Sequence, residues 1–291
     1  MPDYVGRFAP SPSGDLHLGS LYTAAASYLD ARANGGHWLL RIDDLDRPRE
    51  VQGSADGIIR TLHAFGFEWD AEIVRQSDRT AHYAAALDGL RTRGLTFECS
   101  CSRLSLAEDD RYPGSCRNGP LIPGAPTATR LRVDPGCIQF SDRIQGTYRQ
   151  DVAAAVGDVI VKRRDQLFAY LLAVVIDDAA AGVTHVVRGA DLLDNTPRQI
   201  HLQRLLGLPT PAYAHVPVLV EAGGGKLAKS ARSVRADGGQ ALPQLLRVFE
   251  LLGLGTPSGG ATSAIGEAWA WAMRRWDIGR MPKRLTLALA G

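Results

Sequence analysis

The sequence lacks any long apolar run. Its longest apolar stretches, around 171–176 and 216–220, fall far short of the roughly 20 residues a bilayer span requires. The first residues, Met1 to Arg7, carry no signal-peptide pattern and pass almost at once into a strand-like segment. These two absences lead us to expect a cytoplasmic protein with no membrane partner. Charge of one sign is lacking too. The chain's 33 Lys and Arg against 31 Asp and Glu give a net charge of +2, so nucleic-acid binding cannot be argued from global charge and needs a local basic face. Cysteine is scarce. The four present, in a reducing compartment, read as free thiols or metal ligands rather than disulfides. Internal repeats and low-complexity tracts are missing as well. What remains is an ordinary globular composition, 45% apolar and 22% charged. Its 291 residues suffice for one large catalytic domain or two modest ones.

The chain opens with a short buried strand, Val5-Gly6-Arg7-Phe8, and a turn, Pro10-Ser11-Pro12-Ser13-Gly14. Apolar residues then recur at Leu18, Leu21, Tyr22, Ala25 and Leu29, the spacing of a helix that Asn34-Gly35-Gly36 ends. Trp38 to Ile42 reads as a second strand. Strand, helix and strand in about forty residues form a βαβ unit and imply a parallel sheet. From about Thr96 to Tyr148 the pattern changes: all four cysteines lie there, with several prolines and glycines, which we read as an insertion. The βα pattern resumes at Val159 to Lys162, with a helix near 169–180 and a strand from Thr184 to Arg188. Thr196-Pro197 reads as N-cap and first turn of a helix closed by Gly207, followed by a strand from His215 to Val220. After Gly223-Gly224-Gly225 the chain looks helical to its end. The expected fold class is α/β, a parallel sheet split by an inserted module, with a short helical C-terminal region. The expected divisions are 1–95 and 150–222 for the two halves of the sheet domain, 96–149 for the insertion and 223–291 for the tail.

Two constellations carry chemistry. Pro10 to Ser20 spans a strand-to-helix turn, where free N–H groups at a helix start face phosphate. Gly19 lets a flat base approach the backbone, and His17 can hydrogen-bond a phosphate oxygen as charge builds there. Gly225-Lys226-Leu227-Ala228-Lys229-Ser230 is a loop whose two lysines can close on a polyphosphate. Either alone is weak, since a lone histidine or a basic loop is ordinarily a solvated surface feature.

Together, and in this order, they resemble the HIGH-like and KMSKS-like motifs of class I aminoacyl-tRNA synthetases. Arg7 to Gly14, Arg41-Ile42-Asp43-Asp44-Leu45-Asp46 and Val187-Arg188-Gly189-Ala190-Asp191-Leu192-Leu193 resemble the glutamyl/glutaminyl branch, and the likeness runs from residue 6 to about 231. Only 61 residues follow Ser230, too few for an anticodon-binding region with its stem helices, and the first motif reads His-Leu-Gly-Ser rather than His-x-Gly-His. Both traits are similar to the glutamyl-Q tRNA(Asp) synthetase family. The resemblance implies a Rossmann-type catalytic domain that uses ATP, with Mg2+, to activate L-glutamate without tRNA. It further implies transfer of glutamate to the queuosine base at the wobble position of tRNA(Asp). Two alternatives stay open: a truncated glutamyl-tRNA synthetase acting on a tRNA 3′ end or another acceptor, and a non-catalytic RNA-binding relative. Ala228, where the family loop usually has Ser, favours the last; Lys226 and Lys229 speak against it.

Glutamate brings two carboxylates and an ammonium. Arg7 and Arg188 end expected strands at the crevice where such sheets bind ligands, and a guanidinium fork suits a carboxylate. Asp43 can hold the ammonium and Tyr170 can add a hydroxyl. The resemblance implies these same four positions, with Ser11 beside Arg7, although many relatives carry Glu where this chain has Asp43. It also implies His17 and Lys229 at ATP, with Gly19 and Lys226 beside them. Cys99-Ser100-Cys101 and Cys116 offer three thiolates to a zinc ion that wants four ligands. The resemblance supplies Tyr112 as the fourth; Cys137, Asp109 and water are rivals, and reduced structural cysteines are the alternative. Zinc there would fold a loop-rich module that has little core. We expect a monomer whose insertion and tail flank the anticodon loop with Arg143, Arg149, Arg274 and Arg275.

Overall fold

A computed structural model describes residues 3–101, 111–221, 235–257 and 264–289. The expected βαβ unit is present. Strand β1 (Val5–Phe8) is buried along its whole length. Helix α1 (Leu18–Ala33) follows, and its run of alanines packs flush against the sheet. The helix stops at Asn34, and Gly35 turns the chain with φ +62°. Gly36 is needed for a different reason, since a Cβ there would lie 2.5 Å from the Tyr4 carbonyl oxygen. Strand β2 (His37–Ile42) then pairs parallel to β1, Val5 opposite His37 through Phe8 opposite Leu40. Helix α2 (Ser54–Ala64) leads to β3 (Val74–Arg75), which pairs parallel on the outer side of β2.

The second half is built from β6 (Cys137–Asp142), β7 (Gly146–Asp151), β9 (His185–Gly189) and β10 (Ala212–Val216), in spatial order β7-β6-β10-β9. The halves are laced together at Thr184. Its amide donates to the Val5 carbonyl (2.9 Å), and its hydroxyl accepts from the Val5 amide (2.8 Å). Helices cover both faces, as a doubly wound sheet requires. Trp38, Leu40 and Ile42 pack with α1, α2, α7 (Ala241–Leu251) and α8 (Ile265–Met273). Val5 and Leu39 pack on the other face with α3 (Thr80–Thr92), α5 (Tyr170–Ala180) and α6 (Thr196–Leu206). Side chains alternate along a strand, so Arg7 and Arg41 share this second face with Val5 and Leu39. An edge-to-face aromatic cluster ties the C-terminal helices to the first half: Tyr28 to Trp38 (5.1 Å), Tyr28 to Trp269 (4.7 Å) and Phe249 to Trp269 (5.1 Å).

Strand pairing cuts across the expected divisions. The β6–β7 hairpin lies in the stretch expected to be insertion, yet β6 pairs parallel with β10 of the main sheet. Conversely, β8 (Val159–Lys162) does not resume the parallel sheet. It pairs antiparallel with β5 (Ala128–Leu131), which pairs in turn with β4 (Thr96–Cys99). The module's sheet thus takes two strands from the expected insertion and one, β8, from beyond it. The tail is not helical to its end, because β12 (Thr286–Ala288) pairs parallel with β11 (Val218–Val220). Thr196 is the first residue of α6 rather than its cap; Asn195 holds the N-cap, Pro197 falls in the first turn, and Gly207 closes the helix with φ +66°. No helix among the described residues is long and apolar enough to cross a membrane.

Candidate active site

The turn between β1 and α1 lines a cavity of about 440 Å³ with Ser11, His17, Gly19 and, from the far half of the sheet, Gly189 and Asp191. His17 is the N-cap of α1, and its Nδ1 accepts from the Ser20 amide (3.2 Å). With Nδ1 accepting, the ring proton sits on Nε2. Burial pushes the His17 pKa down, so the ring is neutral near pH 7 and acts as a donor. A Cβ on Gly19 would come within 3.1 Å of this imidazole, so glycine makes room for the histidine as well as lining the cavity. Lys226, Ala228 and Lys229 lie outside the described residues. The chain after them is anchored on this turn: the Ala236 amide donates to the Leu16 carbonyl (2.9 Å), and Arg235 pairs with Asp15 (3.0 Å).

Arg7 and Asp43 belong to one buried ionic network. Arg7 reaches Asp178 on α5 (3.3 Å); Arg41 reaches Asp43 (2.6 Å) and Asp178 (2.6 Å). Asp177 takes Arg79 (2.5 Å), Tyr83 (2.7 Å) and Gln76 (2.8 Å). Burial pushes the Asp43 carboxyl up while Arg41 and Arg7 pull it down, and the balance is upward. Asp43 is therefore held by Arg41, although a carboxylate has acceptor capacity beyond one guanidinium. Its backbone amide donates to Pro10 (3.0 Å), which sets it beside Ser11, and both line a second cavity of about 150 Å³. Tyr170 is 40% exposed at the first turn of α5, so it is not a core aromatic.

Arg188 differs from Arg7 and Arg41. It is 4% exposed, yet no carboxylate pairs with it among the described residues. Its Nε donates to His215 Nε2 (3.0 Å), its Nη2 donates to Thr196 Oγ1 (2.8 Å), and its Nη1 is buried without a hydrogen-bond partner among the described residues. Arg7 and Arg188 both act electrostatically on His215 and Tyr213, so two cations share this region. Asp178, Asp142 and His215 are not singled out by any sequence motif, and Arg41 appears there only within the Arg41–Asp46 motif, without a role. Their one local signal was an acidic pair, Asp177-Asp178, closing an apolar helical run.

In the module, Cys99, Cys101 and Cys116 place their sulfurs within 4.8 Å of one another. Cys101 and Cys116 are 3.5 Å apart, and Tyr112 Oη lies 3.5 Å from Cys99 Sγ. Tetrahedral zinc with bonds of about 2.3 Å needs ligand sulfurs about 3.8 Å apart, so the donor set fits the ion. Burial opposes ionisation of Cys116, but the Leu121 and Ser100 backbone outweighs it and brings its pKa to about 6. Cys137 is exposed on β6 and outside the cluster; Asp109 is outside the described residues. Arg143 is turned inward onto Asp30, which is 1% exposed, and is not the open basic residue expected for RNA. Arg275 lies over the Trp271 ring (4.7 Å).

A neutral donor at a helix start, a cavity that reaches from this turn to Gly189 and Asp191, and a buried guanidinium with no carboxylate partner among the described residues are compatible with a nucleotide-dependent, carboxylate-activating enzyme. The family described as tRNA synthetases class I (E and Q), catalytic domain, matches residues 4–253, and the chain belongs to it as a ligase. A solved glutamate tRNA ligase from Elizabethkingia meningosepticum, in complex with its amino acid, shares the fold with a TM-score of 0.80 at 23% identity. That match covers 99% of this chain and 67% of the other. Relatives named glutamyl-Q tRNA(Asp) synthetase are much nearer in sequence. The one from Ectopseudomonas mendocina is 54% identical over 288 residues, covering 99% of this chain and 98% of its own. The one from Pseudomonas aeruginosa strain PAO1 is 50% identical, covering 98% and 97%. Within the class, the chain is a member of this glutamyl-Q tRNA(Asp) synthetase family.

Proposed function

We propose that the protein activates L-glutamate with ATP, without tRNA, and transfers the glutamyl group to the queuosine base at the wobble position of tRNA(Asp). The observation that carries the reading is Arg188, a buried guanidinium without a carboxylate partner among the described residues, in a region that also feels Arg7. A buried guanidinium that keeps its full charge favours an anion beside it, and a dicarboxylic amino acid supplies one. In this reading Asp43 meets the ammonium, Ser11 a carboxylate oxygen and Tyr170 adds its hydroxyl; what supports it is that Asp43 and Ser11 line one cavity and that Tyr170 is exposed at the start of α5.

A glutamate α-carboxylate oxygen attacks the α-phosphorus of Mg2+-bound ATP. The new O–P bond replaces the bond to pyrophosphate, which leaves. His17 donates from Nε2 to a phosphate oxygen as charge develops, Gly19 leaves the base room, and Lys226 and Lys229 neutralise the departing pyrophosphate. A queuosine hydroxyl then attacks the adenylate carbonyl. An ester forms and AMP leaves, a step that needs mainly positioning. The anticodon loop must present its wobble base unstacked, as proteins commonly read single-stranded RNA. Cys99, Cys101, Tyr112 and Cys116 would hold a zinc ion, whose charge would organise the inserted module, and no chemical step passes through it. The names of the relatives support the choice of glutamate and of tRNA(Asp).

Exchange of labelled pyrophosphate into ATP, with glutamate and no tRNA, tests the first step. Glutamate-dependent exchange is expected. Exchange that appears only when tRNA is added would contradict tRNA-independent activation, and no exchange under either condition would remove the enzymatic reading.

A further inference from the structure

Arg188 is held by neutral groups, and the one that faces its Nε is a histidine with nothing to do in the steps above. His215 is fully buried on β10, and Asp142 is buried at the end of β6. Asp142 Oδ2 lies 2.6 Å from His215 Nδ1. Its other oxygen, Oδ1, accepts from the amides of Ile144 (3.0 Å), Gln145 (2.8 Å) and His215 (3.2 Å). A carboxylate that receives this many donors is ionised, so the imidazole proton sits on Nδ1 and points at it. The opposite nitrogen, Nε2, is left as a bare acceptor, and it takes the Arg188 Nε–H at 3.0 Å. Thr196 Oγ1 accepts from Nη2 at 2.8 Å and can pass its own hydrogen to the Leu192 carbonyl (3.3 Å). The Tyr213 ring lies under the guanidinium, 5.3 Å from its carbon. Two edges of the fork are thus fixed, and one buried donor, Nη1, remains open.

We propose that Asp142 and His215 are positioning residues for substrate selection: they fix the imidazole tautomer that holds Arg188 without neutralising it, and so aim Nη1 at a substrate carboxylate. The contrast with the neighbouring arginines gives the reason. A carboxylate in place of His215 would orient Arg188 equally well but would cancel its charge, as Asp178 does for Arg7 and Asp43 for Arg41. A neutral acceptor fixes the fork and leaves a full positive charge for the ligand. Leaving such a charge buried and unpaired is costly, and the cost is relieved only by an anionic ligand, not by an amide such as glutamine. The inference rests on the proposed glutamate activation.

The test is steady-state pyrophosphate exchange by the full chain, with KM measured separately for glutamate and ATP. In Asp142→Asn the side-chain amide can donate to Nδ1, which moves the ring proton to Nε2 and sets it against the Arg188 Nε–H, the same tautomer exchange known for the serine-protease triad. We expect the KM for glutamate to rise about tenfold or more, the size of a lost charge-assisted hydrogen bond. The KM for ATP should stay unchanged. His215→Gln, which restores an acceptor, should keep the KM for glutamate within about threefold of wild type, whereas His215→Leu should raise it about as much as Asp142→Asn. A merely structural role would lower the melting temperature of all three without separating the two KM values. If Asp142→Asn does not fold, the Gln and Leu variants decide the matter, and equal glutamate KM in both overturns the proposal. If wild type exchanges with glutamate and Asp142→Asn keeps its KM, the proposal fails and glutamate activation stands. If wild type itself does not exchange, both fall.

Discussion

Replacing Asp178 with asparagine isolates the ionic network beneath the crevice. The Asp178 side chain is 10% exposed, and it pairs with Arg7 (6%) and Arg41 (5%). Arg41 keeps Asp43 in the variant, but Arg7 loses the one carboxylate that pairs with it among the described residues. Breaking a buried pair by neutralising one partner leaves an uncompensated charge and costs about 3–5 kcal/mol. At an unfolding entropy of about 2.1 cal/mol/K per residue, that lowers the melting temperature of a chain this long by about 5–8 °C. Acid dependence gives a second reading. Burial alone would raise the Asp178 carboxyl, but Arg7 and Arg41 outweigh it and hold its pKa below the ordinary value. Its contribution is therefore present above the unfolded carboxyl pKa of about 3.9 and lost as pH falls through the folded value. Urea unfolding of both proteins should give curves far apart at neutral pH that converge in acid. A loss below about 1 kcal/mol, or a gap that widens in acid, would refute this account of the network.

Three further outcomes follow. Lys229→Ala should raise the barrier to adenylate formation by about 2–4 kcal/mol, as expected for a lost electrostatic stabiliser; exchange kinetics equal to wild type would take Lys229 out of the mechanism. Cys116→Ser should abolish zinc retention after a chelator wash, where wild type keeps about one ion per chain by elemental analysis; wild type without stoichiometric zinc returns these residues to a purely structural role. Gly157 has φ +76°, and a Cβ there would lie 2.1 Å from the Tyr112 carbonyl oxygen. Gly157→Ala should therefore cost at least about 2 kcal/mol and weaken zinc retention by moving Tyr112, and an unchanged melt would contradict that packing.

The first βαβ unit was readable because its information is local. Leu18, Leu21 and Tyr22 repeat at helical spacing, and Asn34 and Gly35 end the helix by their own backbone preferences. The partners of β6 and β8 were not readable, because strand pairing is chosen far along the chain. Val159 to Lys162 reads as a sheet strand in either setting, and only its pairing with β5 makes it part of the module. The tail's β12 is three residues long, too short to show a period. At the site, Arg7 and Arg188 stood out as charges closing apolar strands. The residues that hold them did not: Arg41 and Asp178 are 137 positions apart, and Asp142 and His215 are 73 apart. Tyr112 beside three cysteines became legible only through family resemblance, since a phenol is an unusual zinc ligand.

The acceptor of the glutamyl group is decided by one labelling experiment. Purified protein is given ATP, labelled glutamate and tRNA(Asp) in two forms: one carries queuosine but has its 3′-terminal adenosine removed, and the other has an intact 3′ end but lacks queuosine. Label is expected in the first form, released by mild base as an ester is, and none in the second. Label in the second form and none in the first would place the glutamate on the 3′ end and contradict the proposed function.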